Sequence, residues 1–218
     1  MARSQIILDL INNSVPLSDT LMRLSVLFDS LGNKKLKSWI NCEICGYDDK
    51  EEIPKYRCIQ GTLRADIIQG FRIWHDQDIP FQPESENYEQ ITTKRCYESF
   101  SSLEQVANGT EMTFYCPLPP AAYPYVNKGI QGNLQSLKLV LTKHSFNDVC
   151  IRIKKIVLDV LLYLEKEFDN LDAYDLSAQK AEEKEQHIIN LIYNNYSISI
   201  GDNNKIIRSD ISTGEEQE

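Results

Sequence analysis

Apolar positions recur at helical spacing from Ser4 to Cys45, change to a strand-like rhythm through the middle, and return to helical spacing from Ser145 to Phe168. Ile6, Ile7, Leu10 and Ile11 predict a short helix over Ser4–Asn12. It breaks before Pro16, because the residue ahead of a proline is pushed out of the α region. Leu21, Leu24, Phe28 and Leu31 predict a second helix, with Ser18 as its N-cap and Gly32 in the left-handed position past its end. Asn33 caps a third, whose stripe is Leu36, Trp39, Ile40 and Ile44 and whose stop is Gly46. So short a link predicts an antiparallel helical hairpin. Trp39 reads as its packing anchor rather than as a stacking surface for a ligand, since aromatics dominate cores.

From Tyr56 to Trp74 the helical period is lost, and glycines at 61 and 70 punctuate two expected strands around Gly61–Asp66. The polar run Trp74–Pro80 reads as a loop. Ser101 and Glu104 form a capping-box pattern for a helix over Ser102–Ala107. Met112–Cys116 predicts a strand, and the proline-rich Pro117–Val126 a rigid loop. Leu137, Leu139 and Leu141 alternate with Lys138, Val140 and Thr142, the pattern of a half-buried strand. Val149, Ile153, Ile156, Val157, Val160, Leu161, Leu164 and Phe168 then mark a long helix over Ser145–Phe168, buried on more than one side.

The chain after Phe168 is different. A polar link, Asn170–Gln179, leads to a charged helix over Lys180–Tyr193. Ile188, Leu191 and Ile192 give it a face too narrow for a stable isolated helix. In Tyr196–Ser212 the isoleucines at 198 and 200 alternate with serines, Gly201–Asn204 signals a turn, and Ile206, Ile207 and Ile211 follow. Two such short strands bury too little apolar surface to fold alone, so they must dock or stack with copies of themselves. The fold class expected is α+β: an N-terminal helical hairpin, a small and mostly antiparallel sheet, a long C-terminal core helix, then a helix and a short β tail. The organisation expected is a domain over residues 1–169, a polar link and charged helix over 170–195, and a short β assembly motif with a disordered end over 196–218.

Composition is that of an ordinary globular chain, 42 % hydrophobic and 25 % charged. The net charge of −9 is concentrated at the end. Residues 165–218 hold 13 acids against 5 bases, which leaves 19 against 18 for the remainder. A chain with no basic stripe is a poor candidate for general nucleic-acid binding, which depends on neutralising phosphates. No apolar run reaches membrane-spanning length and no signal peptide is visible, so a cytoplasmic location is expected. The pair Cys42 and Cys45 invites a zinc or redox role, but no second pair completes a zinc set, and the end of a helix disfavours a thiolate. His75, Asp76 and Asp78 lie together on the expected loop, where polar residues are far more often solvated than metal-bound. No catalytic, cofactor or metal set emerges from the residues.

The run Leu31-Gly32-Asn33, Leu36, Trp39, Glu43 and Gly46-Tyr47 resembles the start of the AbiTii domain of bacterial abortive-infection proteins. The entry Pro16-Leu17-Ser18, the acidic turn Asp48-Asp49 and the segment Pro54-x-Tyr56-Arg57 fit it as well. The likeness is looser at Leu158–Glu165. Cys42 and Cys45 lie inside the motif without belonging to it, and Lys34 and Lys35 depart from its more acidic character. Ile198–Ile206 resembles an Ile-Gly-Asp-Asn-Asn strand motif appended to several bacterial conflict proteins. These resemblances imply defence against bacteriophage, and no catalytic residues. The expectation is a component acting through protein contacts and self-assembly, as sensor, scaffold or regulator of an effector. Ile198, Ile200, Asn203, Asn204, Ile206 and Ile211 are the candidate self-association residues of a homo-oligomer, and Trp39, Gly46 and Tyr47 are structural anchors. An effector or phage protein is the further partner expected. The alternatives are an effector enzyme, nuclease or nucleotide-acting, whose site converges from distant residues, and a sensor with a pocket between Tyr56 and Val126.

Overall fold

The computed structural model describes residues 3–48, 51–83, 85, 87–127, 130–174, 176 and 182–193. The fold is α+β. Helices α1 (Gln5–Asn12), α2 (Leu17–Leu31) and α3 (Lys34–Cys45) open the chain. A single 3-10 turn at Lys55–Arg57 leads into β1 (Cys58–Gln60), β2 (Thr62–Gln69) and β3 (Arg72–Ile79). After α4 (Tyr88–Thr92) come β4 (Thr93–Arg95), α5 (Phe100–Asn108), β5 (Thr113–Pro117) and α6 (Tyr123–Val126). The chain then runs through β6 (Asn133–Thr142), α7 (Lys143–Phe168) and α8 (Glu182–Tyr193). Two antiparallel sheets form, one pairing β1 with β4 and one of order β3-β2-β6-β5.

Helix α7 is the axis of the molecule. Phe146, Val149, Ile153, Ile156, Val157, Val160, Leu161, Leu164 and Phe168 are all buried along it. The larger sheet contributes Leu63, Ala65, Leu137, Leu139 and Leu141 to the same core. Such a wide apolar surface explains why every layer packs on this helix. Helix α8 also docks there: Ile188, Ile189 and Ile192 are buried, and Lys184 pairs with Glu167 at 3.4 Å. Its narrow face is thus stabilised by tertiary packing, with Ile189 inside where the periodicity favours Leu191.

The caps show how local chemistry sets the boundaries. Gly32 takes φ +77°, and Asn33 Oδ1 accepts from the Lys35 and Leu36 amides. Three expected caps move. Helix α2 starts at Leu17 after Pro16, so Ser18 lies within its first turn. Helix α5 is capped by Ser99, whose hydroxyl accepts from the Ser102 amide, instead of by Ser101. Thr142 in place of Ser145 caps α7. On α1, Ile11 faces solvent while Ile6, Ile7 and Leu10 are buried. The proline-rich segment is not a plain loop, since a 3-10 turn at Pro120–Ala122 and α6 lie within it.

The largest correction concerns residues 74–80. They form most of β3 rather than a loop, and β3 is exposed from Arg72 to Asp78. Alternation is the signature of a strand with one buried face. An edge strand overhanging the core has none, so its sequence does not show it. Opposite Asp66, β3 carries two residues, His75 and Asp76, and a second register shift separates β2 from β6 at the same place. The Asp66 carboxylate joins the two bulges, accepting from the Asp76 amide at 2.9 Å and the Ser136 hydroxyl at 3.0 Å. Asp76 adopts φ +53°, which an aspartate tolerates better than most residues. A doubled bulge bends the strands, so the hairpin tip is re-aimed relative to the rest of the sheet.

Candidate functional site

On α3, Glu43 falls on the same stripe as Leu36, Trp39 and Ile40, which carries its carboxylate into the core. The turn after Gly46 brings Tyr47 back over it, and the 3-10 turn supplies Tyr56 and Arg57. Gly46 is required for this path. Its φ is +100°, and an added Cβ would lie 2.9 Å from the Tyr97 carbonyl oxygen. The Tyr47 amide donates to that same carbonyl at 2.8 Å, which fixes α3 against the β4–α5 connection.

The result is a closed, buried clamp. Glu43 Oε1 accepts from the Tyr47 hydroxyl at 2.8 Å, the Tyr56 hydroxyl at 2.7 Å and Arg57 Nε at 3.0 Å. Its Oε2 accepts from Arg57 Nη2 at 2.8 Å. Arg57 Nη1 donates to the Cys96 and Glu98 carbonyls at 3.0 and 2.7 Å, and Trp39 Nε1 donates to the Tyr56 hydroxyl at 2.7 Å. Both side chains of the ion pair are 0 % exposed. Burial alone would lower the Arg57 pKa, but the adjacent Glu43 carboxylate overrides it and holds the guanidinium firmly charged. Burial, then the Glu43 charge, pushes both tyrosine hydroxyls far above their ordinary range. A bidentate pair with its remaining lone pairs filled is the arrangement in which a buried charge is tolerated.

Beside the clamp lies an open cleft of about 360 Å³, lined by Lys35, Ser38, Trp39, Cys42, Tyr47, Glu51, Glu52 and Tyr193. The Lys35 ammonium sits over the Tyr193 ring at 5.0 Å. The Cys42 thiol donates to Glu51 Oε2 at 3.0 Å, and the Asp48 amide shares that oxygen at 3.1 Å. Burial and the Glu51 carboxylate push this thiol up to about 12, so it stays protonated and unreactive near neutral pH. Cys45, one turn on, is exposed, and all six cysteines are free.

Trp39, Gly46 and Tyr47 are thus brought together in one structure. His75, Asp76 and Asp78 are on β3, with His75 Nδ1 3.4 Å from Asp66 and Arg64 bridging Asp76 and Asp78 at 2.8 Å each. Among the described residues no three His, Cys, Asp or Glu side chains converge as a metal site. Ile198, Ile200, Asn203, Asn204, Ile206 and Ile211 lie outside the described residues. Sequence reasoning did not assign the roles of Glu43, Tyr56 and Arg57. The usable sign was a carboxylate on the apolar stripe of α3, which must meet a cation or lose its charge.

No curated protein and no solved structure matches the chain. No helix among the described residues is long and apolar enough to cross a membrane. The family comparison is positive: the AbiTii model matches residues 3–189, from α1 into α8, and takes in every residue of the clamp. The chain therefore belongs to the AbiTii family, whose domain marks abortive-infection defence.

Proposed function

We propose that this protein is a component of abortive infection that works through protein contacts and self-assembly, as a sensor, scaffold or regulator of an effector. The observation that carries the reading is the closed clamp. Five residues of the family motif and the segment that follows it, Trp39, Glu43, Tyr47, Tyr56 and Arg57, are engaged with one another in a buried network. Their work is to hold α3, the 3-10 turn and the β4–α5 connection in fixed relation, so the domain has its surface to offer. The candidate assembly residues Ile198, Ile200, Asn203, Asn204, Ile206 and Ile211 are part of this proposal on sequence grounds.

Light scattering on the full chain and on a truncation after Asn195, alongside plating of phage on cells expressing each, tests the reading. The expected result is an oligomer for the full chain and reduced mass and protection for the truncation. Unchanged mass in the truncation removes the tail from the assembly. Turnover of nucleic acid or nucleotide by the wild type, abolished by His75→Ala, would replace the reading with an enzymatic one.

A further inference from the structure

Strand β3 is the outer edge of the larger sheet, and the end of the β2–β3 hairpin runs out beyond the core. Gly70 turns it at φ +61°, with open space where a Cβ would stand. Phe71 follows at the tip and is fully exposed. Behind the tip, side chains that lie opposite one another across strands share a face. Trp74, Ile67 and Leu134 form a row across β3, β2 and β6 on one face, and Ile73 and Ile68 form a pair on the other. Ile67 and Leu134 touch the core, whereas Trp74 and Ile73 are 45 % and 49 % exposed. The end of the hairpin is thus apolar at its tip and on both faces. Charge follows the same division. Residues 67–74 hold no acid and one base, Arg72, and residues 112–147, which include β5 and β6, hold three lysines and no acid, in a chain of net charge −9. The acids of the hairpin, Asp66, Asp76 and Asp78, stand behind this end and are engaged with Ser136, Arg64 and Lys138.

We infer that this hairpin end inserts into the interfacial layer of a lipid bilayer, as a peripheral anchor for the domain. The inference goes beyond the proposed assembly and does not depend on it. Shape selects the occupant. A flat protein surface covers one face of a hairpin and leaves the other in water, whereas a bilayer encloses an inserted tip all round. Depth agrees with it. Phe71 stands three residues ahead of Trp74, roughly 10 Å at ~3.3 Å per strand residue. Amphipathic elements settle about 5–10 Å into the boundary of headgroups and acyl chains. The bulge, with the charged network of Asp66, Asp76, Arg64 and Lys138, then lies on the water side. Trp74 falls at the headgroup level, where tryptophan is enriched in membrane proteins. The open N–H and C=O groups of the β3 edge keep the insertion shallow, because the hydrocarbon core offers them no partner. Arg72 is placed to meet an anionic headgroup. A nucleic acid fits less well, since it needs cations free to neutralise its phosphates, and Arg64 and Lys138 are already paired.

The test is flotation of the full chain with vesicles of phosphatidylcholine, alone or with phosphatidylglycerol, read together with tryptophan emission. The wild type is expected to float with both, and more strongly with the second. Trp74 emission should move to the blue and be quenched by lipids brominated on their acyl chains, while Trp39, the other of the two tryptophans, is buried and stays silent. Phe71→Ser/Ile73→Ser should weaken binding at least ~10-fold with an unchanged melting temperature. Arg72→Glu should remove the preference for phosphatidylglycerol. A wild type that floats with neither vesicle overturns the inference. So does binding that leaves Trp74 emission unmoved, or that survives Phe71→Ser/Ile73→Ser, since the contact is then elsewhere on the chain. Quenching of Trp74 by a single-stranded oligonucleotide, with no response to vesicles, replaces the bilayer with a nucleic acid.

Discussion

Replacing Glu43 by glutamine keeps the size and one carbonyl oxygen of the side chain, but removes the charge that faces Arg57. The amide nitrogen then either meets Arg57 Nη2, now 2.8 Å from Oε2, donor against donor, or displaces the contacts at Oε1. Arg57 cannot escape to water, since it is 0 % exposed and anchored by the Cys96 and Glu98 carbonyls. Removing one partner of a buried ion pair costs about 3–5 kcal/mol. Set against a total stability of ~5–15 kcal/mol, that is about a fifth of the fold or more. With a urea slope of ~1–3 kcal/mol/M the midpoint should fall by roughly 1–5 M at unchanged slope. Arg57→Met should be costly in the wild type and less so in Glu43→Gln, with a coupling of roughly 0.5–3 kcal/mol in a double-mutant cycle. Urea unfolding followed by tryptophan fluorescence reads all four proteins, because Trp39 donates to Tyr56 at the edge of the clamp. A midpoint for Glu43→Gln within ~0.3 M of wild type, or a coupling near zero, would refute the account of the clamp as a stabilising unit.

Gly46→Ala should destabilise by about 1–3 kcal/mol, from its positive φ and the close Tyr97 carbonyl together; thermal melts check it. Asn33→Ala removes the cap on α3 and should cost about 1 kcal/mol in the same assay. Burial pushes the Cys42 and Cys96 thiols up to about 12 from a starting value of 9.0. Above that starting value the unfolded chain holds fewer protons than the native one, so stability should fall as pH rises from about 9 through 12, and urea midpoints across that window read the loss. Under native conditions a thiol reagent should modify exposed Cys45 quickly and Cys42 and Cys96 only on unfolding, as peptide mapping would show.

Which parts of this protein could be read in its residues follows from burial. Helices α1, α2, α3 and α7 each bury the apolar positions of their helical period, and Gly32 and Asn33 punctuate α2 and α3 where the residues place them. Where caps shifted, a neighbouring residue offered the same chemistry: Ser99 for Ser101, Thr142 for Ser145. Strand β3 was illegible because neither face of Arg72–Asp78 is buried, and periodicity reports burial rather than hydrogen bonding. Half of the clamp was visible, in Trp39, Gly46 and Tyr47. The other half was not, because Glu43 and Arg57 meet only after the chain has turned back from α3 through residues 46–57. The role of Asp66 had no sign at all, since a bulge depends on the register of three strands.

The stitching of α1 to the end of α7 has a consequence for the order of synthesis. Arg3 and the Ser4 amide reach Glu165, the Gln5 amide reaches Asp172, and the Ser4 hydroxyl accepts from the Leu171 amide. The start of α1 is therefore completed by residues that follow it far along the chain. Until α7 emerges, the faces of α1 and α2 that pack on it have no surface to cover them, although α2 and α3 already cover one another through Phe28 and Trp39. A nascent chain that ends before Lys143 leaves that apolar face open, which is what a holding chaperone binds. The core therefore closes only once α7 has joined α1 and α2.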